Sequence, residues 1–156
     1  MSETEGIADQ ITRAIHGDAW YGDGLIALLK GISAEQAAGR PITDAHTIWE
    51  ILAHITVWVN IISRRLHGEP ADATPEEDWP TLTDTSAQAW TDAVSACVVA
   101  HDQLAHEVRQ LPLSRLEDDM AGHPSKLYSQ LHGIVQHTLY HTGQISILKK
   151  TVSNHL

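Results

Sequence analysis

The last third of the chain carries the pattern that most limits its fold. Leu127, Leu131, Ile134, His141, Ile145, Leu148 and Val152 recur at helical intervals and define one inward stripe. The spacing predicts a single long helix whose apolar face must be covered by other elements. His141 falls inside that stripe and His137 on its edge. Residues four apart on a helix are neighbours, with about 5–6 Å between Cβ atoms. Two imidazoles so placed can reach one cation, with Zn–N bonds of about 2.0–2.1 Å. Gln144 lies on the same side, where it could orient a ligand or meet a bound water. With 11 His in 156 residues, about one such pair arises by chance, so alone it reads as hydrogen-bonded core histidines. A metal site needs a third ligand from elsewhere in the chain.

The rest of the sequence keeps the same period. Residues 3–16 place Ile7, Ile11, Ala14 and Ile15 on one side of a helix. Gly17, Gly22 and Gly24 interrupt it around Trp20 and Tyr21, and Leu25, Ile26, Leu28 and Leu29 resume it until Gly31. Ser33-Ala-Glu-Gln36 has the form of a capping box and predicts a short turn of helix ended by Gly39, Arg40 and Pro41. Thr47-Ile-Trp-Glu50 is a second box, opening a long helix with the stripe Ile48, Ile51, Leu52, Ile55, Val59, Ile62 and Leu66, stopped at Gly68. His54 lies on a flank with Ile51, Trp58 and Ile61, too apolar to face water, so a neighbouring helix is expected to cover it. Residues 68–83, with three prolines and Glu76-Glu77-Asp78, form a connector long for a bundle. Thr85-Ser-Ala-Gln88 restarts a helix predicted to run to Leu111 before Pro112. Residues 112–124 form another loop, and Ser125 is expected to cap the final helix. With no strand-like alternation, no repeat and no low-complexity tract, the chain reads as an all-α four-helix bundle over residues 1–156, a single domain.

Composition narrows the partners. A net charge of −10 with no Lys/Arg cluster is unsuited to nucleic acid. The single cysteine, Cys97, allows neither an intramolecular disulfide nor a cysteine-based metal site, and among Val94, Val98 and Val99 it reads as a small buried hydrophobe. The longest apolar run, Ile48 to Ile62, is interrupted by Glu50, His54 and Asn60 and is too short to span a bilayer. The opening Met-Ser-Glu-Thr-Glu-Gly lacks the apolar core of a signal peptide, so a cytoplasmic protein is expected.

His54-Ile-Thr-Val-Trp58 together with Leu131-His-Gly-Ile-Val-Gln-His137-Thr-Leu-Tyr-His141-Thr-Gly-Gln-Ile145 resembles the DinB-like (DinB/YfiT-like) superfamily of metalloenzymes. Ala19-Trp-Tyr-Gly22, Gln36-Ala-Ala-Gly-Arg-Pro41, His46-Thr-Ile-Trp-Glu50 and Asp78-Trp-Pro80 are similar to recurring features of its members, so the resemblance covers nearly the whole chain. It implies a four-helix bundle of variant topology, often a homodimer. It also implies one divalent ion, zinc or nickel, on three histidines, which fall on His54, His137 and His141. At Tyr21, where many members carry His, the chain departs from the pattern, and this position is kept only as a pocket candidate. Members include thiol S-transferases and isomerases that use low-molecular-weight thiols.

Three neutral imidazoles leave a coordination position open, as in catalytic zinc sites. Each ligating ring needs a partner for its other nitrogen; Gln144 is the better candidate, while Glu50, one turn before His54, reads more simply as a cap. Trp58 is placed at a pocket wall. Trp20, Trp49, Trp79 and Trp90 read as packing. His16, His46, His67, His101, His106, His123, His132 and His155 read as solvated, with His46 and His132 kept as pocket candidates only. No catalytic residue of the protein itself is identified. Two functions follow. One is a metal-dependent thiol transferase or hydrolase acting on a small molecule. The other is a non-catalytic metal-binding or stress-related bundle acting through a partner. A homodimer is expected because Val57 and Ile61 lie outside the main stripe of their helix and leave apolar surface to cover. Glu-x-x-His and His-Glu-x-x-His are absent, which disfavours di-iron and zincin chemistry.

Overall fold

The structure is a computed structural model and describes residues 1–153. Its long helices are α1 (Glu3–His16), α4 (Ile48–Leu66), α6 (Ala87–Gln110) and α7 (Leu127–Ser153). Short helices α2 (Leu25–Leu29), α3 (Ala34–Ala38) and α5 (Pro75–Asp78) and a 3₁₀ turn at Leu113–Glu117 lie in the connections. No strand occurs among the described residues, only isolated bridges at Ala19–Gly22 and Asp119–Lys126.

Capping sets most helix starts. Ser2, Ser33, Thr47 and Thr74 each accept from the amide three residues on, and the residue there reaches back to the cap's own amide. The box at Thr74 starts α5 inside a stretch expected to be plain connector. Two starts differ from expectation. Helix α6 is capped by Ser86, not Thr85, through Ala89 N. Ser125 turns its hydroxyl to His123 Nδ1 and Gln130 Nε2, each at 2.9 Å, rather than to the first amides of α7.

The four long helices pack as a closed ring. Helix α1 contacts α6 and α7, and α4 contacts the same two, so α1 and α4 occupy opposite corners. The predicted stripes fill the middle: Ile7, Ile11 and Ile15 from α1, Leu52, Ile55 and Val59 from α4, Leu104 and Val108 from α6, and Leu131 and Ile145 from α7 are nearly or wholly inaccessible. Each such side chain contributes about 1.5–3 kcal/mol relative to exposure. Helix α7 is buried more widely than its stripe, since Thr138 and Thr142 are also inaccessible. Their hydroxyls are satisfied within the helix, on Ile134 O and Thr138 O.

The turn after α1 depends on glycine. Gly17 has φ 99°, outside the range L side chains favour. A Cβ on Gly24 would lie against the Gly17 amide and 2.7 Å from Ile15 O. Trp20 at the tip of this turn is fully exposed, not packed as expected. Ile61 is buried within the chain itself, so it supplies none of the uncovered surface on which a dimer was expected. His155 lies outside the described residues. No described helix is long and apolar enough to cross a membrane.

Candidate metal centre

Helices α4 and α7 meet where their apolar stripes face each other. That contact brings His54 from the middle of α4 onto His137 and His141 of α7. One nitrogen from each ring lies within 4.8 Å of the others. His54 and His141 are buried and His137 half-buried. Among the described residues the group contains only these three potential ligands.

The outer ring nitrogens show which lone pairs face inward. His54 Nδ1 is 2.9 Å from the carbonyl oxygen of Asp78 and 3.0 Å from its Oδ1. His141 Nδ1 is 2.6 Å from Gln144 Oε1. Both partners are acceptors, so each Nδ1 carries the proton and each Nε2 presents a lone pair. His54 Nε2 and His137 Nε2 are 2.9 Å apart. Two nitrogens on one tetrahedral ion with bonds of about 2.0–2.1 Å would stand about 3.3 Å apart, so a shared cation asks this hydrogen-bonded pair to open by about 0.4 Å. His137 Nδ1 is buried with no hydrogen-bond partner among the described residues. With Nε2 facing the cation, Nδ1 is the outer nitrogen, and His137 lacks there the acceptor that His54 has in Asp78 and His141 has in Gln144.

Electrostatics keep His137 and His141 ready to bind. Burial, then the neighbouring His141 and His54, push His137 down to about 4. Burial also lowers His141, against the opposing bond from Gln144. Neutral imidazole is the ligating form.

Asp78 and Trp79 complete the site; the sequence marks them only as part of a family-like stretch, with Trp79 read as packing. Helix α5 delivers Asp78, whose Oδ1 also accepts from Trp58 Nε1 at 2.6 Å. The Trp79 indole lies flat on His54, with centroids 4.0 Å apart and planes at 4°, and on its other face lies His46, at 3.5 Å and 5°. The Asp78-Trp-Pro80 stretch and the box Thr74-Pro-Glu-Glu77 were the available signals; they mark an ordered turn, but not where it docks. Trp58 stands edge-on to both His54 and His137, as a wall.

A cavity of about 780 Å³ opens onto the cluster, lined in part by Trp58, Asp78, Trp79, Tyr140, Gln144 and His46. Other candidates fall elsewhere. Glu50 is engaged by its own cap, by Arg40 at 2.7 Å and by His46 at 3.4 Å. Tyr21 is on the surface, with its hydroxyl 3.4 Å from Ala14 O, and does not line the cavity. His132 pairs with Glu3 at 3.2 Å, also away from it. His101, read as solvated, is instead buried on α6. Its Nδ1 donates to Cys97 O at 2.8 Å, and burial pushes it down to about 4. Cys97 is buried and its thiol is pushed up to about 11 by burial, so it is inert as a nucleophile.

Comparison with curated proteins and with solved structures gave no significant match. The family model of the DinB superfamily matches residues 21–145. That span holds all three histidines of the cluster and most of the bundle around them, and the chain belongs to the DinB superfamily.

Proposed function

We propose that this protein is a cytoplasmic metal-dependent enzyme that transfers a small thiol onto an electrophilic small molecule. The observation that carries the reading is the three-histidine group at the floor of a large cavity, with no fourth protein ligand among the described residues to close it. His54, His137 and His141 would hold one divalent ion, zinc or nickel. When bound, that ion supplies Lewis acidity and favours the thiolate form of a small thiol.

The chain's own residues set the geometry. Asp78 and Gln144 fix the tautomer and tilt of His54 and His141, and Trp79 clamps the His54 ring. Trp58 and Trp79 exclude water from one side. The thiol sulfur forms the new bond to the electrophilic carbon, the leaving group departs with the bonding pair, and the thiol proton passes to solvent. Hydrolysis is less well supported, because it asks for a proton acceptor beside the attacking water. Asp78, the carboxylate nearest the histidines, already accepts from Trp58 and His54 through Oδ1.

Metal content of the purified protein, beside His54→Ala, His137→Ala and His141→Ala, tests the ligand set; equal content in all four samples rules it out. Thiol transfer is tested by incubating zinc- or nickel-loaded protein with an electrophile and a panel of thiols, and separately with esters and amides. If loading changes none of these rates, the non-catalytic bundle replaces this reading. A homodimer belongs to the same proposal: Trp20 projects fully exposed, a feature a second copy would cover. Light scattering near 17.1 kDa at micromolar concentration would count against it.

A further inference from the structure

The geometry points to an uncharged, apolar thiol as the molecule this cavity takes, with thiols bearing additional negative charge discriminated against. This rests on the thiol-transfer reading above and concerns what that reading leaves open. Among the described residues no Lys or Arg lines the cavity. Arg40 lines the adjoining depression, which shares His46 and Trp79 with it, and is paired there with Glu50. The acidic side chains that line the cavity are Asp44 and Asp78.

A charge count leads to the same place. A divalent ion on three neutral imidazoles brings two positive charges. Asp78 offsets one and the thiolate the other, so a further carboxylate or sulfonate on the ligand has no counter-charge. The protein's net charge of −10 adds a long-range field of the wrong sign for anions.

The walls indicate what is accepted instead. Trp58, Trp79 and Leu148 form the interior, and Ile42, Tyr140 and Ile147 the mouth. These last three are 44%, 65% and 61% exposed, an apolar rim that an apolar ligand would cover. Natural anion sites use Arg forks or backbone amides; here the exposed lining is hydrocarbon, the Tyr140 phenol, the Asp44 carboxylate and the His46 imidazole.

The test compares benzyl mercaptan with its para-sulfonated analogue, which adds a charged group that coordinates metal poorly. Binding to the cobalt-loaded full-length protein is followed by the cobalt absorption. The neutral thiol should bind at least about tenfold more tightly. Ile147→Arg, a change at an exposed rim position, should shrink that ratio towards parity. Equal or tighter binding of the sulfonate, or a ratio unmoved by the added guanidinium, would overturn the inference. The oxygen analogues, benzyl alcohol and its para-sulfonate, are titrated calorimetrically into zinc-loaded protein as a second arm. If neither thiol shifts the cobalt absorption but the neutral alcohol still binds more tightly than its sulfonate, thiol transfer is lost and the charge selection stands. If the two alcohols bind alike, the charge selection is lost whatever the thiols do.

Discussion

Asp78 is the most informative residue to change. Its side chain touches two others at once, His54 Nδ1 at 3.0 Å and Trp58 Nε1 at 2.6 Å. Loss of the outer partner of a metal-binding histidine typically lowers metal affinity about 10–100-fold, or about 1.4–2.7 kcal/mol. In this site the backbone carbonyl of the same residue also accepts from His54, at 2.9 Å, and no side-chain substitution removes it. The Asp78→Ala effect should therefore sit at the lower end, about tenfold weaker zinc binding. Stability should also drop by about 1 kcal/mol, because the indole N–H of Trp58 loses its acceptor. Asp78→Asn keeps an oxygen in place for both donors and removes only the charge, so its zinc affinity should fall by much less. The assay is competition for zinc against a chromophoric chelator at constant pH, with urea denaturation of the metal-free proteins alongside. Zinc affinity within twofold of the parent in Asp78→Ala would refute the role of this contact. Equal losses in the two variants would show that charge, not hydrogen bonding, is what Asp78 contributes.

Three further outcomes follow from the geometry. His101 has its folded-state pKa depressed from 6.5 to about 4, so the unfolded chain takes up its proton first. Stability is then full above about pH 6.5 and falls as pH drops towards 4, by about 3 kcal/mol for this group. In metal-free protein His101→Gln should flatten that part of the profile; urea midpoints at pH 7.5 and 4.5 that shift equally in both proteins would contradict it. Gly24→Ala, whose new Cβ would press on backbone atoms of Gly17 and Ile15, should cost about 2 kcal/mol or more by thermal unfolding. An unchanged melting temperature would show that the turn has room to relax. Thr74→Ala removes the cap of α5 and should weaken zinc binding several-fold while global stability falls by about 1 kcal/mol at most. A loss of stability with zinc affinity intact would mean that α5 does not position Asp78.

The local parts of this protein were legible in its residues. Stripes such as Ile48, Ile51, Leu52, Ile55 and Val59 follow one helical period, and the boxes at Ser33 and Thr47 bond only across three residues, so short-range geometry determines both. The neighbouring placement of His137 and His141 is likewise a property of one helix. What lay beyond reach depends on contacts between distant segments. His54 meets His137 because α4 packs on α7, a pairing the sequence indicates only through its family resemblance, and Asp78 and Trp79 arrive from a connector whose docking leaves no periodic trace. His101 looks polar beside Asp102, yet α6 turns it into the core, where Cys97 O accepts from Nδ1 and the Thr138 hydroxyl lies 3.3 Å from Nε2. Trp20 looks like core and stands in solvent, because a glycine-bounded turn carries it away from the bundle. Helices and caps are decided by neighbours along the chain. The completed site is decided by which faces pack together, and that choice is made by the burial of the whole core.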